Sequence, residues 1–373
     1  MKKILAVGVM AVLSLVFLGL PGKTKAVVDN RIWTKNSTAV VVNNQAGWPR
    51  VIKDGATYKM WVENPADATV RYTTSADGIT WGALQATNLT VHEFCVIKDG
   101  ATYKMWSNSG TAGPPPAPSV SYWTSADGLT WSAATLITFN GGGQAWDVDY
   151  IAPWVIKDGS TYKMWYNANE GNGKYYFAYA TSDDGTTFTE PQNLGKVVSA
   201  AGNANNNLVL KQGAAGAWDG YQGPGEALYS NTVLKNSDGI YEMWYAGNKS
   251  GQAGGADGYK IGYATSPDGI TWTEAGANPV LSGLAGEFAA NGIYYPSVIQ
   301  DGDTYKMWFW PYANWQGGVG YATANKMVVQ AAPVVEPLPQ TGGNDNIVIL
   351  IGLTLLAVSV PVFYLLQRKI TKS

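Results

Sequence analysis

The sequence predicts an all-β fold, a five-bladed β-propeller of four-stranded antiparallel blades. Three observations carry this. A hairpin motif, Val51–Trp61, recurs at Val96–Trp106 and Val155–Trp165 and, loosened, at Val233–Trp244 and Val298–Trp308. A second motif, Tyr72–Trp81, follows most copies, at Tyr122–Trp131, Tyr179–Phe188 and Tyr263–Trp272. Between residues 27 and 330 no segment has a helical hydrophobic period. Four-stranded units repeated in tandem close on themselves as a propeller.

The first residues read as an export signal. Lys2 and Lys3 give a positive start, Ile4 to Leu20 is apolar almost throughout, and Thr24-Lys25-Ala26 ends in a small residue suited to cleavage. The expected signal peptide is 1–26, with a signal helix; an uncleaved membrane anchor is the alternative, because the apolar run is near the lower limit for crossing a bilayer.

The blades are expected at about 39–90, 91–140, 141–198, 207–285 and 286–329. In each, two apolar residues end one strand, Asp-Gly makes the turn where glycine accepts positive φ, and Tyr-Lys-Met-Trp, loosened to Tyr-Glu-Met-Trp in blade four, alternates faces on the next strand. The second motif adds another strand, a second Asp-Gly turn and a final strand ending in an aromatic. The fifth copy stops at Tyr321-Ala-Thr-Ala324 and lacks that outer strand. Residues 29–34 resemble Asp268–Thr273, so an Ile32–Trp33 strand is expected to complete blade five and close the ring; Met327–Val329 is the rival. Closure removes exposed strand edges.

After the blades come a Pro- and Val-rich spacer, 331–337, and then Leu338-Pro339-Gln340-Thr341-Gly342. A charge-free run from Ile347 to Leu366 follows, long enough to form a transmembrane helix. Arg368, Lys369 and Lys372 lie in the last residues, 367–373, as positive charge does on the cytoplasmic side. This order resembles the sortase substrates of Gram-positive-type bacteria. The resemblance implies cleavage between Thr341 and Gly342, covalent joining of Thr341 to peptidoglycan, and a secreted, wall-anchored protein whose partner at that step is a sortase. A permanent single-span anchor is the alternative.

Composition narrows the rest. The one cysteine, Cys95, excludes an intrachain disulfide. A formal charge of −2 with 14% charged residues argues against nucleic acid or an anionic lipid surface as partner. A single histidine, His92, excludes multi-histidine metal sites. No cofactor motif and no Ca²⁺-liganding motif is evident, and a monomeric propeller is expected.

Residues common to all blades are scaffold: the five repeated tryptophans, expected between neighbouring blades, and the Asp-Gly turns. The segments that differ lie just before each inner strand, where a propeller channel opens. Blade one offers Trp48 and Arg50, and blade two offers Glu93 beside His92. Blade three offers Trp146, Asp147 and Asp149, blade four Trp218, Asp219 and Glu226, and blade five Tyr294 and Tyr295. Aromatic faces stack on sugar rings, and carboxylates accept hydrogen bonds from hydroxyls or act in pairs across a glycosidic bond. An extracellular glycan is the expected ligand.

Asn278-Pro-Val-Leu281, Gly216-Ala-Trp-Asp219, Tyr295-Pro-Ser-Val-Ile299 and Ile261-Gly-Tyr-Ala-Thr-Ser266 resemble the five-bladed glycosidase superfamily of arabinanases, β-xylosidases, invertases and mannoside phosphorylases. Its hydrolases carry three acids on separate inner strands, one of them an Asp in blade one directly before Pro. Here Trp48 precedes Pro49, and Glu93 holds the comparable place in blade two. The resemblance implies Asp147 or Asp149 as base, Glu226 as acid and Glu93 as a third member if the chain is a hydrolase. Without the first-blade Asp, the favoured expectation is carbohydrate binding without catalysis.

Overall fold

The computed structural model describes residues 32–35, 41–42, 46–108, 120–141, 150–169, 175–197, 206–220, 228–249, 258–283, 289–311 and 318–326. The chain divides into two units, residues 1–327 and 328–373, and every described residue lies in the first. The expected signal peptide, sorting motif and C-terminal span lie outside the described residues.

Five sheets, antiparallel apart from one parallel pair in the third, form the five blades of the propeller. After β1 (Thr34–Lys35), blade one contains β2 (Gly47–Asp54), β3 (Thr57–Glu63), β4 (Thr69–Ser75) and β5 (Gln85–Thr90). Blade two contains β6 (His92–Asp99), β7 (Thr102–Asn108), β8 (Val120–Ser125) and β9 (Thr135–Leu136). Blade three begins with β10 (Thr138–Asn140), then β11 (Tyr150–Asp158), β12 (Thr161–Asn169), β13 (Tyr175–Ser182), β14 (Thr187–Thr189) and β15 (Leu208–Lys211). Blade four is β16 (Leu228–Lys235), β17 (Tyr241–Gly247), β18 (Lys260–Ser266) and β19 (Thr273–Glu274). Blade five is β20 (Ile293–Asp301), β21 (Thr304–Pro311) and β22 (Gly320–Asn325), with β1 as its outer strand.

The chain start thus supplies the fourth strand of blade five, one turn of the pleat later than Ile32–Trp33: Thr34 pairs with Thr323 and Lys35 with Ala322. Trp33 is buried and meets Trp244 edge-on, with ring centroids 6.2 Å apart. Met327–Val329 lies outside the described residues.

Two details depart from the sequence expectation. Blade three is a sheet of six strands, because β10 runs parallel to β14 and β15 pairs with β13. The segment Asp-Gly-x-Thr-Trp is a closed loop ahead of the outer strand in blades one, two and four. In blade one, Asp77 Oδ1 accepts from the backbone N–H groups of Ile79 and Thr80, both at 2.7 Å. Ser75 Oγ accepts from Gly78 N at 2.8 Å, and Trp81 Nε1 donates to Gly78 O. The local side-chain bonds outcompete the strand ladder, and β5 begins only at Gln85.

These loops lock blades one, two, three and five to the next blade around the ring. The fully buried Trp61 donates its indole N–H to Gly128 O in blade two at 2.7 Å. Trp106 does the same to Gly185 O, Trp165 to Gly269 O and Trp308 to Gly78 O. Positive φ at these glycines turns the carbonyl toward the indole.

A second seam joins the inner hairpin turns. Asp54 accepts from Lys98 of blade two at 2.5 Å and from the Tyr103 hydroxyl, and its own Lys59 lies at 3.1 Å. Asp99, Asp158 and Asp301 repeat the pattern. The fourth junction differs. Glu242 stands where the other blades have lysine and accepts from the Tyr305 hydroxyl at 2.6 Å. Blade five correspondingly carries Gln300 where the others have Lys53, Lys98, Lys157 and Lys235. The substitutions match each other across the junction, so the tyrosine keeps an acidic acceptor there.

Candidate functional site

All five inner strands carry a β-bulge at the same register, between Gly47 and Arg50, His92 and Cys95, Ile151 and Trp154, Tyr229 and Asn231, and Tyr294 and Ser297. Each bulge holds a non-glycine residue at positive φ: Trp48 (45°), Glu93 (53°), Ala152 (49°), Ser230 (36°) and Tyr295 (48°). Such conformations cost on the order of 1–3 kcal/mol each and persist where the surroundings enforce them. Bulges re-aim side chains. Pro49, Pro153 and Pro296 follow three of the five, positions where proline leaves no ladder donor unpaired.

Just beyond the bulges, the residues paired with the seam tryptophans are Arg50, Cys95, Trp154, Thr232 and Ser297. They close the channel. Arg50 is 2% exposed; its Nε donates to Phe94 O at 2.6 Å and its Nη1 to Pro49 O at 3.0 Å. Its guanidinium lies 5.3 Å from the Trp154 ring centre and 5.7 Å from that of Tyr295. Val51 N donates to Ser297 Oγ, and Thr232 Oγ1 donates to Pro296 O, so the floor is bonded across blades.

Four blades converge on Glu93. The Tyr229 hydroxyl of blade four and the Tyr295 hydroxyl of blade five, the latter at 2.8 Å, donate to its Oε1. Asn108 Nδ2 donates to its Oε2 at 3.1 Å. Its backbone N–H donates to Oε2 of Glu63, from blade one, at 3.1 Å, and Glu63 Oε1 bonds His92 Nδ1. Burial pushes the Glu63 carboxyl up to about 7, against the hydrogen bond from His92. That same bond raises His92, whose side chain is 46% exposed.

Both groups hold protons more tightly folded than unfolded, so their contribution is present at low pH and lost as pH rises, that of Glu63 through about 7. The Glu63 displacement corresponds to about 3 kcal/mol. Asp54 and Asp301 act oppositely. Hydrogen bonds from Lys98 and Lys53 respectively hold them well below the usual carboxylate range, so their contribution is lost as pH falls below about 4. Stability measured by urea unfolding is expected to peak between the two limbs. Glu63→Gln should flatten the limb near pH 7 and leave the acid limb in place; an unaltered upper limb would refute the assignment.

Several buried polar atoms around the bulges have no hydrogen-bond partner among the described residues: Trp48 Nε1, Asn108 Oδ1, Asn167 Oδ1, Ser230 Oγ, and both amide atoms of Asn231. Asn108 and Asn167 stand two residues after the seam tryptophan of their strands, the position Glu63 occupies in blade one. Native interiors satisfy most such atoms, so a cluster of exceptions calls for a specific cause.

The structure brings Glu93, Arg50, Trp48, Tyr294 and Tyr295 together, but as a packed layer. Trp48 is 9% exposed, with its ring 5.4 Å from Tyr295 and 5.1 Å from Trp310. Tyr294 packs on Tyr259 and Tyr295. Open stacking faces were expected at these positions; the bulges turn the rings onto one another. Trp218 and Asp219 do not join this group. Trp218 packs on Tyr245 in the core between blades three and four, where a Cβ on Gly247 or Gly262 would meet its ring within 2.7 Å. Burial raises the Asp219 carboxyl. Trp146, Asp147, Asp149 and Glu226 lie outside the described residues, as do Thr341 and Gly342. Glu63, Asn108, Asn167 and Asn231 escaped the sequence reading. The prolines inside the inner strands were a signal for the bulges that frame them.

No protein-family model matches the chain. Over 153 residues it is 29% identical to uncharacterized proteins from two strains of Mycobacterium tuberculosis; the match covers 39% of this chain and 41% of theirs. Solved structures show the fold. A thermostable family-43 glycoside hydrolase superposes with a TM-score of 0.53 at 18% identity, over 84% of this chain and 99% of that one. An N-acetylgalactosamine deacetylase from F. plautii, solved with blood group B trisaccharide, gives a TM-score of 0.55 at 15% identity, over 78% and 92%. A Bombyx mori family-32 β-fructofuranosidase gives 0.50 at 11% identity, over 78% and 63%.

Proposed function

We propose that the propeller binds an extracellular carbohydrate at the bulged end of its channel without cleaving it. The observation that carries this reading is the cluster of unpartnered buried donors and acceptors on Trp48, Asn108, Asn167, Ser230 and Asn231. A mixture of donors and acceptors suits a polyhydroxylated ligand, in which each hydroxyl both gives and takes a hydrogen bond. Against catalysis stands the side-chain set at the bulges. Of Trp48, Glu93, Ala152, Ser230 and Tyr295, Glu93 alone is acidic, and it is already engaged by three donors. The export signal and the Leu338–Gly342 motif support delivery to the cell wall, with a sortase as the joining enzyme and peptidoglycan as the attachment.

Hydrolysis is the second reading. The likeness of the fold to glycoside hydrolases favours it, with Asp147, Asp149 and Glu226 as the acids that would join Glu93. A glycan array probed with the purified protein, followed by a reducing-end assay on every hit, separates the two. Binding to defined oligosaccharides with no new reducing ends is expected. Release of reducing sugar that Glu226→Gln abolishes would establish hydrolysis, and an empty array would overturn the carbohydrate reading.

A further inference from the structure

The other end of the channel, where the inner strands reach their Asp-Gly turns, contains a cavity of different chemistry. Its volume is about 730 Å³, within the range that takes small organic ligands. Trp154 lines it, and the Arg50 guanidinium over the same ring belongs to the floor that separates it from the bulged end.

Its wall is aliphatic and repeats with the blades. Ile52, Ile97, Ile156, Leu234 and Ile299 line it, each half-buried, so an apolar ring is left uncovered. The next residue in each strand lines it too: Lys53, Lys98, Lys157 and Lys235, with Gln300 in the fifth place.

These lysines are not neutralised by their aspartates. Lys98 pairs with Asp54 at 2.5 Å, Lys157 with Asp99 at 2.7 Å and Lys235 with Asp158 at 2.8 Å, while Lys53 pairs with Asp301. Each aspartate also holds a second lysine from its own blade, at 3.1 Å for Lys59, 2.7 Å for Lys104, 2.8 Å for Lys163 and 3.0 Å for Lys306. Every such junction therefore keeps one positive charge in excess. An ammonium has three donors, and the rim side chains remain 34–37% exposed. A cleft with walls of low dielectric and charge of one sign focuses the field on its opening.

We propose that this funnel binds an organic anion with an apolar body. An aliphatic or cyclic portion lies against the isoleucine wall, and a carboxylate or phosphate head sits among the rim ammonium groups. An inorganic anion leaves the wall uncovered, and a neutral apolar molecule leaves the excess charge unmet.

Calorimetric titration of the full-length protein with octanoate, 1-octanol and inorganic phosphate tests this. One octanoate per chain is expected, at least tenfold tighter than either of the others, and weakening as NaCl is raised. The double variant K98Q/K157Q copies the glutamine that blade five carries naturally. It is expected to weaken octanoate at least tenfold and to leave octanol unchanged. Should that variant fail to fold, the octanoate-to-octanol ratio and its salt dependence in the unaltered protein decide alone. Octanoate no tighter than octanol, affinity indifferent to salt or to K98Q/K157Q, or no binding at all would overturn the proposal.

Discussion

Replacing Trp106 with alanine is expected to cost about 3–5 kcal/mol of stability, enough to unfold a marginal domain at physiological temperature. The side chain is fully buried between blades two and three, against Tyr122 at 5.2 Å and Tyr162 at 5.8 Å. Its loss opens a cavity at a seam whose neighbours are held by their own hydrogen bonds and cannot collapse into it. Trp106→Phe should cost less, about 1–3 kcal/mol, keeping most of the contact area but leaving Gly185 O without its donor. The partner side of the same contact gives an independent check at the preceding seam. A Cβ on Gly128 would meet the Trp61 ring at 2.7 Å, at φ of 82°, whereas a Cβ on Gly55, at φ of 61°, meets nothing within 4 Å. Gly128→Ala should therefore destabilise well beyond Gly55→Ala, which carries the backbone strain alone, about 1 kcal/mol. Urea midpoints for the four variants measure this. Equal costs at Gly128 and Gly55 would mean that the indole does not bear on the turn.

Replacing Glu93 with alanine should do two things at once. Tyr229, Tyr295 and Asn108 lose a shared acceptor, and buried donors left unmet cost about 1–3 kcal/mol each. Arg50 also loses a nearby negative charge. A loss of roughly 3 kcal/mol is expected, together with loss of glycan binding, because the contacts that join blades two, four and five at the axis disappear. Glu93→Gln keeps an acceptor oxygen and the side-chain shape, so it should retain most of the stability and some of the binding. If Glu93→Ala melts with the unaltered protein, the convergence of the blades on this carboxylate is not structural.

Much of the architecture was legible because each blade repeats the same solution. Asp-Gly marked the hairpins, the tryptophan closing each copy marked the seam, and the missing outer strand in the fifth copy pointed to the chain start as its completion. What was not legible depends on packing around the axis. Nothing local to Trp48, Glu93 or Tyr295 favours positive φ, which is uncommon for residues with a Cβ; it is imposed where five inner strands crowd together. The register of the closing strand moved to Thr34–Lys35 because Trp33 is drawn inward onto Trp244. Trp218 was placed at the channel by its proximity in sequence to β16. Instead, the bare backbone at Gly247 and Gly262 gives its ring a flat bed in the blade-four seam. Glu63 was missed because it follows the tryptophan on a middle strand, a stretch read as scaffold, although its blade-by-blade replacements, Asn108, Asn167, Ala246 and Trp310, vary in the way a site does.

The most direct test is the indole N–H spectrum of the ¹⁵N-tryptophan-labelled protein during titration with an oligosaccharide drawn from the array. The Trp48 signal, identified by its absence in Trp48→Phe, is expected to shift as its unpartnered N–H gains a ligand oxygen, while the Trp61, Trp106, Trp165 and Trp308 signals stay fixed by their glycine carbonyls. A saturating oligosaccharide that leaves Trp48 unmoved would contradict a carbohydrate site at the bulged end of the channel.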